Sequence, residues 1–101
     1  MSNHIYKSNG TYLGFVHNGS IFSRDSAYLG WLEGNYVWDD KGRFRGTLKE
    51  IGGHNYVLLN QLQLQPIPRL PKLPPLPPFP PLPQSNVGPI SLPVGFIDGF
   101  Q

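Results

Sequence analysis

The residues of this sequence that could do chemistry are few, and their spacing does not assemble a catalytic site. Asp39 and Asp40 are adjacent at a predicted turn, where neighbouring side chains diverge, and turn formation explains both of them. His17 and His54 each stand beside a glycine-containing turn, as solvated histidines commonly do. The sequence contains no phosphate-binding glycine loop, nucleophile elbow or metal motif. We therefore predict that the protein is not an enzyme and has no catalytic residues.

Metal and cofactor sites are also not expected. Cysteine is absent, and the three histidines, His4, His17 and His54, do not follow the spacing of a structural zinc site. We predict no metal site and no cofactor.

Half of the basic residues lie in one short segment. These residues are Lys41, Arg43, Arg45 and Lys49. Three acidic residues lie beside them and cancel much of their field, and the net charge of the chain is only +2. We therefore predict a solvated edge here, and no binding of nucleic acid.

The length of 101 residues allows one domain, spanning 1–101. The charged fraction of 14% is low for an exposed surface, which suggests extensive contact with another segment or partner. No apolar stretch approaches the roughly 20 residues of a transmembrane helix. The N-terminal residues also lack the features of a secretory signal, so the sequence predicts a cytoplasmic protein.

A sixteen-residue motif repeats along the first half of the chain. The copies occupy residues 5–20, 21–36 and 37–55, and they align Ile5 with Ile21 and Val37. Turn signals such as Asn9-Gly10 separate runs of alternating apolar residues, which is the strongest local indication of a β-hairpin. Each repeat is therefore predicted to be one hairpin of an all-β fold.

Alternation along the longer strand of each hairpin predicts two faces. The face assigned to the repeat core carries an aromatic residue and a glycine in each copy: Tyr12 and Gly14, Tyr28 and Gly30, and Phe44 and Gly46. The glycine is expected to allow close approach of a neighbouring strand or ring. The opposite face is apolar in two of the three copies and needs a cover; it carries Leu13, Phe15, Leu29, Trp31, Arg45 and Thr47.

All twelve prolines lie at or beyond Pro66, and residues 66–84 are predicted to form a polyproline II segment. A bulky apolar residue recurs every third position, which is one turn of this helix: Ile67, Leu70, Leu73, Leu76, Phe79 and Leu82. A flexible linker is one interpretation of this segment. A ligand for proline-recognition domains is another, which Arg69 and Lys72 would suit. We favour a third, in which the apolar stripe docks within the chain or between subunits and covers Leu13, Phe15, Leu29 and Trp31.

The end of the chain resembles the second half of a repeat. Residues 56–59 match the opening of a unit, and residues 93–100 are predicted to return as the strand that completes this fourth repeat, with Gly95 in the place of the repeat glycine. The proline segment would then replace a hairpin turn. This arrangement predicts four hairpins closed into a small shallow barrel or ring, which removes unpaired sheet edges.

On these residues the chain resembles the four-fold β-flower domain family of bacterial proteins. The resemblance rests on Ile5-Tyr6, Asn9-Gly10, residues 12–16 and 28–32, Asp40-Lys41-Gly42 and the tail from Pro66 to Pro83. It implies a shallow barrel of hairpin petals, similar in outline to tubby-type barrels, and no assigned function. A weaker resemblance to WG repeats rests on the GFV, GWL and GFID segments.

The leading hypothesis is a non-catalytic protein-interaction or assembly module, which presents apolar surface to a protein partner or to a second copy. The alternative is an apolar-ligand or membrane-surface module, in which Tyr12, Tyr28 and Phe44 line the centre and basic residues meet lipid phosphate. The candidate binding residues are Phe15, Trp31, Trp38, Arg43, Arg45, Leu70, Leu73, Leu76 and Phe79.

Overall fold

The computed structural model describes residues 3–82 and 84–100 as an all-β fold. Met1, Ser2, Gln101 and Pro83, which belongs to the predicted polyproline II segment, lie outside the described residues. Eight strands follow in chain order: β1 (His4–Tyr6), β2 (Tyr12–His17), β3 (Ser20–Ser23), β4 (Tyr28–Glu33), β5 (Tyr36–Asp39), β6 (Phe44–Ile51), β7 (His54–Asn60) and β8 (Phe96–Asp98). Within the described part of the chain there is no helix that could cross a membrane.

The sheet closes on itself into a flat barrel. Strands β1 to β7 pair in chain order, each antiparallel to the next, and β1 then pairs with β7 in parallel. Strand β8 is an additional strand that pairs with the C-terminal half of β7. The molecule measures 37 × 34 × 21 Å, so the barrel is shallow, and the predicted fold class is confirmed.

A β-bulge in the longer strand of each of the first three hairpins decides which side chains face inward. Ile5 pairs with Gly14 and Tyr6 pairs with Tyr12, so Leu13 is left over as the extra residue. The same register shift recurs between β3 and β4 and between β5 and β6. An extra residue breaks the strict alternation of side chains on which the predicted faces depended.

The inner core of the barrel is aliphatic. Its four buried members come from the first strand of each repeat and are Ile5, Ile21, Val37 and Val57. Leu13 and Leu29, predicted to point outward, pack against this inner core. Tyr12, Tyr28 and Phe44, predicted to form the core face, instead contact the outer aromatic residues Tyr6, Phe22 and Trp38 respectively. The prediction of the faces was therefore wrong for these residues, because the bulge moves the aromatic residue to the outside. Val16, Leu32 and Leu48, which follow the repeat glycines on the predicted core face, do pack against the inner core.

The repeat glycines allow close contact between strands, as predicted. A Cβ atom added to Gly14 or Gly30 would lie 2.0 or 1.8 Å from the carbonyl oxygen of Phe22 or Trp38. At Gly46 the same test brings the Cβ to 2.4 Å from the carbonyl oxygen of Leu58. These distances are far below a van der Waals contact, so a side chain at these positions would separate the strands.

In the fourth repeat the glycine that allows close approach of a neighbouring strand is Gly99 and not Gly95. The backbone N–H of Gly99 donates to the carbonyl oxygen of Val57, the fourth member of the inner core. A Cβ at Gly99 would lie 2.0 Å from the carbonyl oxygen of Arg45. Gly95 lies in the turn before β8 and approaches only the side chain of Leu62. The sequence GFIDGF offers two glycines, and the pairing with β7 selects the second.

Residues 61–95, which connect β7 to β8, form a strap around the outside of the barrel. At its ends, the N–H of Gln61 donates to the carbonyl oxygen of Gly95 over 2.8 Å. Along its course it meets the turns of the third and first repeats, at Gly42 and Gly10. The strap therefore docks within the chain.

Candidate functional site

Exposure along the strap repeats every three residues, as expected for a polyproline II helix. The half-buried residues between 66 and 84 are Pro66, Pro78, Pro81 and Gln84, which all share one phase of this repeat. Arg69 and Lys72 occupy the same phase and contact the barrel. This edge of the strap faces inward, and along it the two cations, Arg69 and Lys72, come after Pro66 and before Pro78 and Pro81.

The apolar stripe lies on a different edge and faces solvent. Its members are Ile67, Leu70, Leu73, Leu76, Phe79 and Leu82, and their exposed fractions run from 84% for Leu82 to 97% for Phe79. The predicted docking of this stripe onto Leu13, Phe15, Leu29 and Trp31 is therefore wrong. A three-sided rod presents one edge to the barrel, and the contacts of Arg69 and Lys72 select the edge that carries them.

Two tryptophans on the barrel receive these two cations. Trp31 of β4 pairs with Trp38 of β5 across the sheet, and their rings stack with centroids 6.5 Å apart and planes 21° apart. The guanidinium carbon of Arg69 lies 5.1 Å from the ring centroid of Trp38, and the Nζ of Lys72 lies 5.0 Å from that of Trp31. Both distances fall within the range of cation–π attraction.

Glu33 joins these groups into one site. It lies two residues after Trp31 on β4, and therefore on the same face of the sheet. The indole N–H of Trp31 donates to Oε1 of Glu33 over 3.0 Å, while Oε2 lies 3.0 Å from Nη2 of Arg69. The Nζ of Lys72 lies 3.8 Å from Oε1. We name Trp31, Glu33 and Trp38 the tryptophan groove; its aromatic faces and its carboxylate both attract cations.

Three of the predicted binding residues are buried in this arrangement. Phe15, Trp31 and Trp38 are only 4%, 3% and 1% exposed, so they do not form free surface while the strap is docked. Pro78, Phe79 and Pro81 line a cleft together with Phe15. The prediction that these aromatic residues present open surface is corrected: the outer aromatic face is covered.

The later part of the strap covers the tyrosine side of the barrel. Tyr6, Tyr12, Tyr56 and Leu58 form a second buried cluster, against which Val87, Ile90, Leu92 and Phe96 pack. The backbone N–H of Tyr12 donates to Oδ1 of Asn86 over 3.0 Å. Burial raises the pKa of Tyr12, and the nearby Tyr6 adds to this effect. This contact fixes the strap on the side opposite to its first anchor.

The two arginines proposed to meet phosphate are already paired with a carboxylate. The Nε atoms of Arg43 and Arg45 lie 3.2 and 2.9 Å from Oδ2 of Asp39, and the side chain of Asp39 is 4% exposed. Oδ1 of Asp39 accepts the backbone N–H groups of Lys41 and Arg43, which confirms its role in the turn. Burial opposes ionisation of Asp39, but these N–H groups and Arg45 hold its pKa below the ordinary value.

The centre of the barrel is not lined by Tyr12, Tyr28 and Phe44, because the aliphatic inner core occupies it. That part of the lipid-binding alternative is therefore wrong. No group of His, Cys, Asp and Glu able to hold a metal ion occurs among the described residues.

Sequence reasoning missed Glu33, and it noted Arg69 and Lys72 only as features of a possible ligand. A signal for this site was present: two cations one polyproline II turn apart, and an acidic residue two positions after a tryptophan. What was lacking was the pairing of the strap with β4, which no local pattern encodes.

The comparison with known families matches residues 1–96 to the description 4-fold beta flower protein. The chain belongs to this family. The match includes strands β1 to β7 and the whole strap and ends at the first residue of β8, so the family match extends over the strap as well as the hairpins. No match was found among curated proteins or among solved structures.

Proposed function

We propose that this β-flower protein is a non-catalytic interaction and assembly module that associates through the solvent-facing edge of its strap. We call this surface the leucine edge; it consists of Ile67, Leu70, Leu73, Leu76, Phe79 and Leu82. The observation that supports the proposal is the exposure of six large apolar side chains in a row, each at least 84% accessible. Monomeric proteins rarely expose a contiguous apolar patch of this kind.

The strap holds the leucine edge ready for contact. Prolines restrict the backbone, and anchors on the barrel at Gly42 and Gly10 hold the segment at both ends. Little conformational entropy is then lost when the edge meets a partner, which favours binding.

We propose a second copy of the chain as the partner. Two leucine edges related by a two-fold axis present the same apolar surface to each other, as an isologous contact requires. The cations of the strap lie on its inward edge against Glu33, so they do not oppose this contact. A net charge of only +2 also imposes little repulsion between copies. A cytoplasmic location stays a prediction alongside this proposal.

The mass of the full chain in solution, measured by light scattering over a range of concentrations, tests the proposal. We expect the wild-type chain to form dimers and the double variant L73K/L76K to be monomeric. The control is A27K/N35K, which adds the same charge at exposed positions of the barrel, away from the strap. A wild-type chain that stays monomeric throughout, or an edge variant that associates like the wild type, would overturn the proposal.

A further inference from the structure

The tryptophan groove recognises its occupant mainly through side chains. Across the described residues of 66–82, the backbone hydrogen bond from the strap to the barrel is that of Arg69 to Gly42. The other contacts at the groove are the two cation–π pairs and the two ion pairs with Glu33. Arg69 and Lys72 are about half exposed, so each ion pair contributes modestly. This part of the strap can therefore leave the groove without disrupting the sheet.

The groove also holds a donor that the strap does not satisfy. The indole Nε1 of Trp38 is buried and has no acceptor among the described residues. A buried N–H without a partner is costly, and it is satisfied by any ligand that brings an oxygen to it. A polyproline II segment has free backbone carbonyls all along its length, because the helix makes no internal hydrogen bonds. The resident strap, although it is such a segment, brings none of these carbonyls to Nε1 of Trp38 in the part of it that the structure describes.

We propose that the tryptophan groove is a binding site for polyproline II segments that carry two basic residues one turn apart, and that the strap is its resident ligand. Such a segment supplied by another molecule competes with residues 66–82 for Trp31, Trp38 and Glu33. The strap stays attached on both sides of the groove, at Gly95 and at Gly10, while this exchange takes place. The inference does not require association through the leucine edge, although displacement of the strap releases the Gly42 anchor of that edge.

The test uses the full chain and a fluorescent peptide with the sequence of residues 66–79. In the variant R69Q/K72Q the strap loses its cations, so the groove is freed for the peptide. We expect this variant to bind the peptide roughly tenfold more tightly than the wild type, whose tethered strap competes at high effective concentration. Fluorescence anisotropy measures the affinity. Trp31 and Trp38 are the two tryptophans of the chain, so their emission reports on occupancy of the groove.

A control peptide in which the arginine and lysine are replaced by glutamine keeps every leucine and proline. We expect it to bind the R69Q/K72Q variant roughly tenfold more weakly than the basic peptide. This comparison separates binding at the groove from contact with the leucine edge. Equal binding of the two peptides, or no gain over the wild-type chain, would overturn the proposal.

A second variant covers the case in which R69Q/K72Q does not fold. In E33K the groove itself becomes basic and repels its own strap. We expect E33K to prefer a peptide with glutamate at both basic positions, by at least tenfold over the basic peptide. Retained preference for the basic peptide would contradict the assignment of Glu33. Thermal unfolding of each variant establishes that the barrel is intact.

Discussion

Arg69 meets Gly42 backbone to backbone, with the N–H of Arg69 donating to the carbonyl oxygen of Gly42 over 2.7 Å. The same contact recurs two repeats earlier, where Val87 donates to Gly10 over 2.8 Å. Gly10 and Gly42 occupy equivalent turns, and both have positive φ. The strap is thus anchored at equivalent turns of two repeats. At both turns a Cβ atom would block the approach of the strap backbone.

The substitution Gly42→Ala is expected to displace the strap. The new Cβ would lie 1.8 Å from the carbonyl oxygen of Arg69, and the residue would be held at a φ of +83°. We expect a loss of about 2 to 4 kcal/mol in the free energy of unfolding, from the left-handed backbone and the steric conflict together. Urea denaturation measures this loss, and tryptophan emission reports whether the groove opens.

Gly34→Ala is the matched control for the cost of placing a Cβ atom on a residue with positive φ. Gly34 has a φ of +61°, and a Cβ there meets nothing within 4 Å. We expect this variant to lose about 1 kcal/mol, with unchanged tryptophan emission. If the two variants lose the same stability, the contact of Arg69 with Gly42 does not hold the strap.

Ser26→Gly is expected to stabilise the protein. Ser26 occupies the turn position that is glycine in the first and third repeats, it has a φ of +65°, and its buried hydroxyl has no hydrogen-bond partner. Glycine removes the backbone strain and the unpaired hydroxyl, at a smaller cost in chain entropy. We expect a gain of about 1 kcal/mol, seen as a midpoint of thermal unfolding raised by roughly 4 °C. Ser20→Gly should instead lower the midpoint of thermal unfolding, because Ser20 lies inside β3 and glycine weakens a strand.

Asp39→Asn is expected to cost about 1.5 to 3 kcal/mol at neutral pH, because Asp39 accepts charge-assisted hydrogen bonds from Arg43 and Arg45. Its folded-state pKa lies below the ordinary value, so its stabilising effect is complete above the unfolded pKa of about 3.9 and is lost as pH falls through the folded pKa. Urea denaturation from pH 7 to pH 2 should show the two chains converging in acid.

The neighbouring substitution Asp40→Asn serves as the control for this titration. Asp40 is exposed, and its replacement by asparagine removes the same formal charge as the replacement of Asp39. We expect its unfolding free energy to stay within about 0.5 kcal/mol of the wild type at neutral pH. A loss at Asp40 as large as that at Asp39 would mean that net charge, and not the pairing with the arginines, explains the result.

Gly99→Ala is expected to be more damaging than Gly95→Ala. At Gly99 the Cβ would lie 2.0 Å from a backbone oxygen of Arg45 and 2.8 Å from Cγ1 of Val57, so a strand must move. At Gly95 it would meet the side chain of Leu62, which is 75% exposed and able to shift. We expect a loss of about 3 kcal/mol for Gly99→Ala and about 1 kcal/mol for Gly95→Ala, by denaturation. The reverse order would contradict the placement of Gly99 in the fourth repeat.

The repeat pattern predicted the hairpins and the closed all-β ring, because turn signals and alternation are local features of the sequence and occur in each copy of the repeat. It also predicted that Gly14, Gly30 and Gly46 lie where strands approach closely. The faces were predicted correctly for Val16, Leu32 and Leu48, which follow the repeat glycines, and wrongly for the residues before those glycines. A single extra residue such as Leu13 reverses the alternation there, and sequence alone does not show which residue is left unpaired.

The proline segment shows the same division between local and tertiary information. Its three-residue period was legible in the sequence, because polyproline II geometry follows from the prolines themselves. Which of its three edges faces the barrel was decided by Glu33, Trp31 and Trp38, which lie more than thirty positions away from Arg69 and Lys72 in the chain. The sequence by itself determined four β repeats and a proline segment with a three-residue period. Only the tertiary structure decided that this segment turns its cations inward and its leucines outward.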